Sequence, residues 1–135
     1  MSRTFLEIER ERGVVSRYRK HVNGKGYVAV GAEVDTLAYV DPTSYVETGA
    51  RVGPKARIGA GSWVESNAVV GAGVILEAHV HVGENAVIGR GAVIGSHTRI
   101  GANAAVADEV RVERDATITP GAVLRRRGED YSRAA

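Results

Sequence analysis

Residues 87–95 read VIGRGAVIG, and within them two aliphatic residues, Ile88 and Ile94, lie six positions apart. The same spacing continues in both directions without an insertion or a change of phase. Seventeen positions follow it: Val28, Val34, Val40, Val46, Val52, Ile58, Val64, Val70, Leu76, Val82, Ile88, Ile94, Ile100, Val106, Val112, Ile118 and Leu124. A fixed short period of this kind indicates a repeat architecture more securely than local propensity does.

Each group of six residues predicts one short strand followed by a bend. A small or β-branched residue stands two positions before each marked aliphatic, as Ala92 stands before Ile94. Alternate residues of a strand face the same side, so both positions point inward. An α-helix cannot keep a six-residue stripe on one face. A single short strand buries too little surface to be stable alone, so the hexads must stack into coils.

A second period, of 18 residues, marks one turn of the coil. Five residues recur at this spacing: Gly49, Asn67, Asn85, Asn103 and Gly121. Gly and Asn accept a positive φ most readily, so one corner of each turn is predicted to need a left-handed residue. The sequence therefore predicts an all-β parallel prism of about five coils over residues 27–124. Residues 1–26 are predicted to form an N-terminal cap, and residues 125–135 a basic tail.

Composition and charge restrict the class of protein. The 135 residues predict a single domain. The chain has no Cys, no signal-peptide pattern and no long apolar run, which predicts a cytoplasmic protein without disulfides or a membrane partner. Net charge is +4 over residues 1–25, −4 over residues 26–123 and +2 over residues 124–135. We interpret the basic ends as solvated caps of the open sheet ends rather than as a nucleic-acid site. Six residues suit a short helix or hairpin over the first coil: Phe5, Leu6, Ile8, Val14, Val15 and Tyr18.

The outward residues of the strands fall into three columns, two of which are apolar in successive layers. Five aliphatic residues make up these two patches: Val69, Val87, Val123, Ile75 and Val93. Stacked apolar residues on a water-facing surface predict burial against another copy of the chain, and closed symmetry is the usual arrangement of such copies.

The third column contains Trp63, His81 and Arg99 in three successive layers. One interpretation is a ligand groove, in which Trp63 stacks on a ring and Arg99 binds an anion. The other is an exposed sheet face whose long side chains stack along the ladder for modest stabilisation. The sequence leaves both interpretations open.

His79 and His97 are 18 residues apart, with Asp115 one layer further on. Histidine is suited to proton transfer near neutral pH and to zinc ligation. The same three residues occupy a corner position, however, and His and Asp tolerate positive φ better than most residues. Turn formation and chemistry therefore remain alternative explanations of this stack, whereas His81 lies on a strand.

Residues 87–95 resemble the hexapeptide-repeat signature, which is an aliphatic residue, then Gly, Ala, Asp or Glu, two free residues, a small residue and one free residue. The resemblance covers roughly residues 27–124 and implies a left-handed parallel β-helix with three hexads per coil. It also implies a homotrimer with parallel axes, assembled through the two apolar columns.

Residues 75–83, ILEAHVHVG, are similar to the catalytic coil of hexapeptide acyltransferases. In that family a histidine between subunits activates a hydroxyl or amine that takes an acyl group from a thioester. If the chain shares this activity, His79 or His81 is the expected catalytic base. The clustering of the neighbouring residues then makes Trp63, His97 and Arg99 the expected substrate-binding residues. Acyl-CoA is the implied co-substrate, with no tightly bound cofactor and no metal.

Two other functions remain open. The unbroken repeat favours a non-catalytic trimeric rod that acts as a ligand-binding or assembly module. A weaker resemblance is to γ-class carbonic anhydrases, whose zinc site takes three histidines across a subunit boundary.

Overall fold

The computed structural model describes residues 5–9 and 15–126, with side chains described from residue 17 onward. Within these ranges the regular structure consists of β-strands, and no helix has the length and apolar character needed to cross a membrane. Most of the predicted tail lies outside the described residues, as do five side chains predicted to cover the first coil: Phe5, Leu6, Ile8, Val14 and Val15.

The described strands are, in chain order, β1 (Phe5–Glu9), β2 (Val15–Lys20), β3 (Tyr27–Ala29), β4 (Glu33–Val34), β5 (Tyr39–Val40), β6 (Tyr45–Val46), β7 (Arg51–Val52), β8 (Arg57–Ile58), β9 (Trp63–Val64), β10 (Val69–Val70), β11 (Ile75–Leu76), β12 (His81–Val82), β13 (Val87–Ile88), β14 (Val93–Ile94), β15 (Arg99–Ile100), β16 (Ala105–Val106), β17 (Arg111–Val112), β18 (Thr117–Ile118) and β19 (Val123–Leu124). From β3 onward, each strand begins six residues after the previous one, as the hexad pattern predicts.

Three sheets, numbered here 1 to 3, form the sides of the prism. Sheet 1 has the order β1-β2-β3-β6-β9-β12-β15-β18, sheet 2 has the order β19-β16-β13-β10-β7-β4, and sheet 3 has the order β17-β14-β11-β8-β5. Strands that are neighbours along the prism pair in parallel with a register of 18 residues, as Val69 pairs with Val87 and Ile75 with Val93. The predicted parallel β-helix is therefore confirmed.

The marked aliphatic residues form the shaft of the prism. Ile58, Leu76 and Ile94 are fully buried, while Val34, Ile118 and Leu124, near the two ends, are partly buried and pack against the same core. The small residues two positions earlier are also buried along most of the shaft, as shown by Ala56 and Ala92. Burial of apolar side chains at roughly 1.5–3 kcal/mol each is the main stabilising contribution.

All three corners of the prism use left-handed residues, whereas the sequence predicted one such corner and offered a second, at His79, His97 and Asp115, as an alternative. Between sheets 1 and 2, Asn67 has φ 64° and Asn85 has φ 62°. Between sheets 2 and 3, Lys55 has φ 64°, and between sheets 3 and 1, His79 has φ 59° and His97 has φ 62°. The corner between sheets 2 and 3 was not found in the sequence because Lys and Glu share its positions with Gly.

Of the two alternatives offered for the N-terminal segment, a helix or a hairpin, the described part matches the antiparallel strands of a hairpin. β1 pairs antiparallel with β2, and β2 pairs antiparallel with β3, so the two strands extend sheet 1. Residues 21–26 then cross the end of the first coil, where the Gly26 nitrogen donates to the Val40 carbonyl and the Val40 nitrogen donates to the Asn23 carbonyl. The buried His21 ring bonds through Nε2 to the Ala38 carbonyl at 2.9 Å.

Candidate functional site

The outward face of sheet 1 carries an aromatic and cationic column. The parallel register places Tyr27 beside Tyr45, Tyr45 beside Trp63, Trp63 beside His81 and His81 beside Arg99. Each of these residues comes directly before a marked aliphatic, so the strand geometry turns it outward while its neighbour points into the shaft. The structure thus brings three of the predicted site residues together on one face.

Carboxylates occupy the positions directly after two strands of sheet 1, Glu47 after β6 and Glu65 after β9. Glu47 accepts a 2.7 Å hydrogen bond from the Trp63 indole nitrogen. Glu65 has the same relation to the next layer, because its carboxylate is bonded to Nε2 of His81. In both cases a carboxylate in one coil fixes the ring nitrogen of the residue sixteen positions later. Sequence reasoning missed these two glutamates, although they stand where most hexads have Gly or another small residue.

His81 is held on two sides. Its side chain is 23% exposed and that of Glu65 is 25% exposed, so water screens the pair only in part. The imidazole also packs against Trp63, with ring centroids 4.9 Å apart and planes tilted by 36°. Its Nδ1 atom is buried and finds no hydrogen-bond partner among the described residues. A carboxylate on one imidazole nitrogen fixes the ring orientation and leaves the other nitrogen as the acceptor for a proton.

A groove opens beside His81 because no carboxylate follows Glu65 at the corresponding positions of the next two coils. These positions are Gly83 and Gly101, which have no side chains to stand above the sheet. The groove has a volume of about 320 Å³, and Glu65, His81, Arg99 and Gly83 are among the residues that line it. The Arg99 side chain is exposed at this groove, so its guanidinium is available to two oxygens of an anion such as a carboxylate or a phosphate.

The stacked histidines occupy the corner between sheets 3 and 1. The His79 and His97 rings lie 5.0 Å apart at 17°, and both residues are exposed with positive φ, as is Asp115. The backbone nitrogen of His79 donates to the Ala60 carbonyl of the preceding coil at 2.7 Å. The turn role that the sequence offered for these residues is confirmed. The His79 ring stacks on His97, whereas the His81 ring packs against Trp63 and bonds to Glu65.

The described residues contain no group of three His, Cys, Asp or Glu side chains that could hold a metal ion. His79 and His97 stack on each other, while His81 bonds to Glu65. The geometry of one chain therefore gives no specific support to the zinc alternative.

Comparison with known families identifies the repeat region. The family model described as "GMPPB C-terminal domain" matches residues 34–127, which include the whole candidate site from Glu47 to Gly101. The chain belongs to the GMPPB C-terminal domain family. That description names a domain by its position and states no activity. No curated protein matches this GMPPB C-terminal domain family member.

Solved structures similar to this GMPPB C-terminal domain family member include a mutant GDP-perosamine N-acetyl transferase from Caulobacter crescentus in complex with CoA and GDP-perosamine. The identity is 25%, the TM-score is 0.69, and the match covers 71% of this chain and 46% of that chain. A second mutant, described as perosamine N-acetyltransferase and bound to the same two ligands, matches with 24% identity, the same TM-score and the same coverage. This chain therefore spans less than half of the length of those proteins.

A hexapeptide transferase family protein from Anaplasma phagocytophilum is similar at 15% identity, with a TM-score of 0.54 and coverage of 80% of this chain and 78% of that chain. These structures share the coiled architecture, and they confirm the resemblance of this GMPPB C-terminal domain family member to the hexapeptide-repeat, left-handed β-helix superfamily.

Proposed function

We propose that this protein is an acyltransferase that moves an acyl group, such as acetyl, from a CoA-type thioester to an amine or hydroxyl of a small acceptor. The observation that carries the proposal is the Glu65–His81 pair beside an open groove. Support also comes from the fold shared with a GDP-perosamine N-acetyl transferase that binds CoA.

In this proposal His81 is the general base. Glu65 accepts a hydrogen bond from Nε2 and orients the ring, so Nδ1 is the nitrogen that remains to act as the base. Because Nδ1 is buried in the single chain, this role requires that substrate binding shift the ring or its neighbours to expose it. The acceptor nitrogen or oxygen attacks the thioester carbonyl, the carbon–sulfur bond breaks, and the thiolate leaves and takes up a proton. Arg99 binds a phosphate or carboxylate of a substrate, and the exposed part of Trp63 stacks on the acceptor or the cofactor.

Assembly is part of the proposal. Ile75, Val87 and Val123 are 39%, 44% and 44% exposed, and the outward Val69 and Val93 are half-buried. These residues lie on sheets 2 and 3, so a homotrimer formed through them would place a neighbouring chain next to the corner that bears His79. Buried Nδ1 of His81 lacks a partner within the described residues, and an unsatisfied buried nitrogen is costly. A ligand or a neighbouring subunit that supplies this partner completes the site.

The test is thiol release from acetyl-CoA with a panel of amino sugars and small amines, followed by a colorimetric thiol reagent. We expect turnover in the wild type, a loss of about 10²–10⁴-fold in His81→Asn, and little change in Lys20→Gln, an exposed substitution on β2, away from sheets 2 and 3. Equal turnover in the His81→Asn variant and the wild type would contradict the assignment.

The second candidate function is a non-catalytic trimeric module. One observation favours it: the strands from β3 to β19 follow one another at six-residue intervals, so no inserted loop interrupts the coil to build a site. Mass in solution and acetyl-CoA calorimetry separate the two. A trimer without detectable acetyl-CoA binding at millimolar concentration supports the module, and a clean monomer contradicts the interface on which both functions depend.

A further inference from the structure

A second cavity opens on sheet 1, on the other side of Trp63 from His81. It has a volume of about 380 Å³, within the range of small-molecule sites. Three aromatic side chains line it, together with a carboxylate, a threonine, a glycine and a serine: Tyr18, Tyr45, Trp63, Glu47, Thr43, Gly61 and Ser62. This lining differs from that of the groove at Arg99, because its described residues are acid, aromatic and small groups, with no cationic side chain among them.

The cavity lies at a break in the aromatic column. Tyr27 and Tyr45 stack with centroids 4.8 Å apart, and Trp63 packs on His81 at 4.9 Å. Tyr45 and Trp63 are register partners between these two pairs, yet the described residues show no ring stack that joins them. Instead, Tyr18 from β2 meets Tyr45 edge-on, with centroids 5.3 Å apart and planes at 81°. Two perpendicular tyrosines and an indole therefore surround a space between two coils.

Glu47 holds the aromatic walls in place. Its residue is only 4% exposed, and its two carboxylate oxygens accept hydrogen bonds of 2.7 Å from the Tyr18 hydroxyl and the Trp63 indole nitrogen. Each bond points the polar end of a ring toward the carboxylate and leaves the rest of the ring to line the cavity. The carboxylate also adds negative potential beneath aromatic rings whose faces are already electron-rich.

We propose that the cavity formed by Tyr18, Tyr45, Trp63 and Glu47 is a binding site for a small organic ammonium cation of about the size of choline. Aromatic faces attract cations, and they do so most strongly for quaternary ammonium groups, which lose little hydration on entry. A primary ammonium needs direct hydrogen-bond acceptors, but both Glu47 oxygens are already bonded to the cavity walls. The site thus selects for a methylated ammonium, and this inference does not depend on acyl transfer.

The test uses the full wild-type chain and choline as the probe in isothermal titration calorimetry, with no acyl donor present. The matched control ligand is 3,3-dimethylbutan-1-ol, which has the same shape without the charge. We expect a dissociation constant for choline in the millimolar range or tighter, and binding at least about tenfold weaker for the neutral alcohol. Equal affinity for the two ligands, or no heat from choline at tens of millimolar, would overturn the proposal.

Variants locate the binding site. Tyr45→Leu removes one aromatic wall and is expected to weaken choline binding by about fivefold or more, while Tyr45→Phe keeps the ring and preserves affinity. Glu47→Gln keeps an acceptor for one wall but removes the charge, so it is expected to weaken choline more than the neutral alcohol. If Tyr45→Leu and Tyr45→Phe bind choline equally, the cation does not sit in this cavity. The ligand comparison in the wild type does not depend on whether any variant folds.

Discussion

Substitution of His79 tests whether the corner geometry determines the residue there. Its φ of 59° is a conformation that β-branched residues rarely adopt and Asn accepts readily. His79→Val and His79→Asn both remove the ring that stacks on His97 at 5.0 Å, which costs about 0.5–1.5 kcal/mol in each variant. In the valine variant, the left-handed backbone conformation lowers the free energy of unfolding by about a further 1–2 kcal/mol. We therefore expect His79→Val to be less stable than His79→Asn by about 1–2 kcal/mol.

The measurement is urea-induced unfolding followed by far-ultraviolet circular dichroism, at one chain concentration because an oligomer's stability depends on it. The chain supplies a natural precedent, since Asn67 and Asn85 have φ values of 64° and 62° at another corner. Equal free energies of unfolding for the two variants would refute the explanation of this corner. The asparagine variant also reports on function. If His79→Asn is stable but abolishes thioester turnover while His81→Asn retains it, His79 and not His81 is the base.

Three further outcomes follow from burial and close packing. Leu76→Ala in the shaft is expected to lower the free energy of unfolding by about 3–5 kcal/mol. Ile75→Ala, on the outer face of the same strand, is expected mainly to weaken self-association, measured by sedimentation. A larger loss of unfolding free energy in Ile75→Ala than in Leu76→Ala would contradict the strand register. Gly83→Ala places a Cβ 2.6 Å from a backbone nitrogen of the next coil, so a lower urea midpoint is expected, and an unchanged one would contradict this close approach. Burial lowers the pKa of His21 below its usual value, an effect only partly offset by the Ala38 carbonyl. The unfolded state therefore binds a proton that the folded state resists, and stability should fall as the pH drops below about 6.5, with a shallower loss in His21→Asn.

Much of the fold could be predicted from the sequence because the shaft admits few residue types. A narrow interior requires an aliphatic residue at every sixth position. The strand register can therefore be predicted from the positions of Ile58, Leu76 and Ile94. The 18-residue spacing also predicted that His81 lies beside Trp63 and Arg99, because residues 18 apart are strand neighbours when every coil has 18 residues.

The carboxylate contacts could not be predicted in the same way. Glu47 and Glu65 reach the ring nitrogens of the next coil only through particular side-chain rotamers, which periodicity does not define. The position of Tyr18 was also beyond the pattern, since residues before 27 do not follow the repeat and β2 runs antiparallel to β3. The cavity between Tyr45 and Trp63 depends on both features, so only the structure reveals it.

The three sides of the prism differ in a way that fits separate tasks. Sheets 2 and 3 carry the apolar residues Val87, Val123 and Ile75 on their outer faces, whereas sheet 1 carries the buried carboxylate Glu47, the Glu65–His81 pair and two cavities. The antiparallel strands β1 and β2 extend sheet 1 alone. If copies of the chain assemble through sheets 2 and 3, the polar face of sheet 1 stays open to small molecules while its corner borders the neighbour. A variant such as Val87→Glu should then release monomers that still bind choline but no longer turn over a thioester. Loss of choline binding together with assembly would place the cavity at the interface instead.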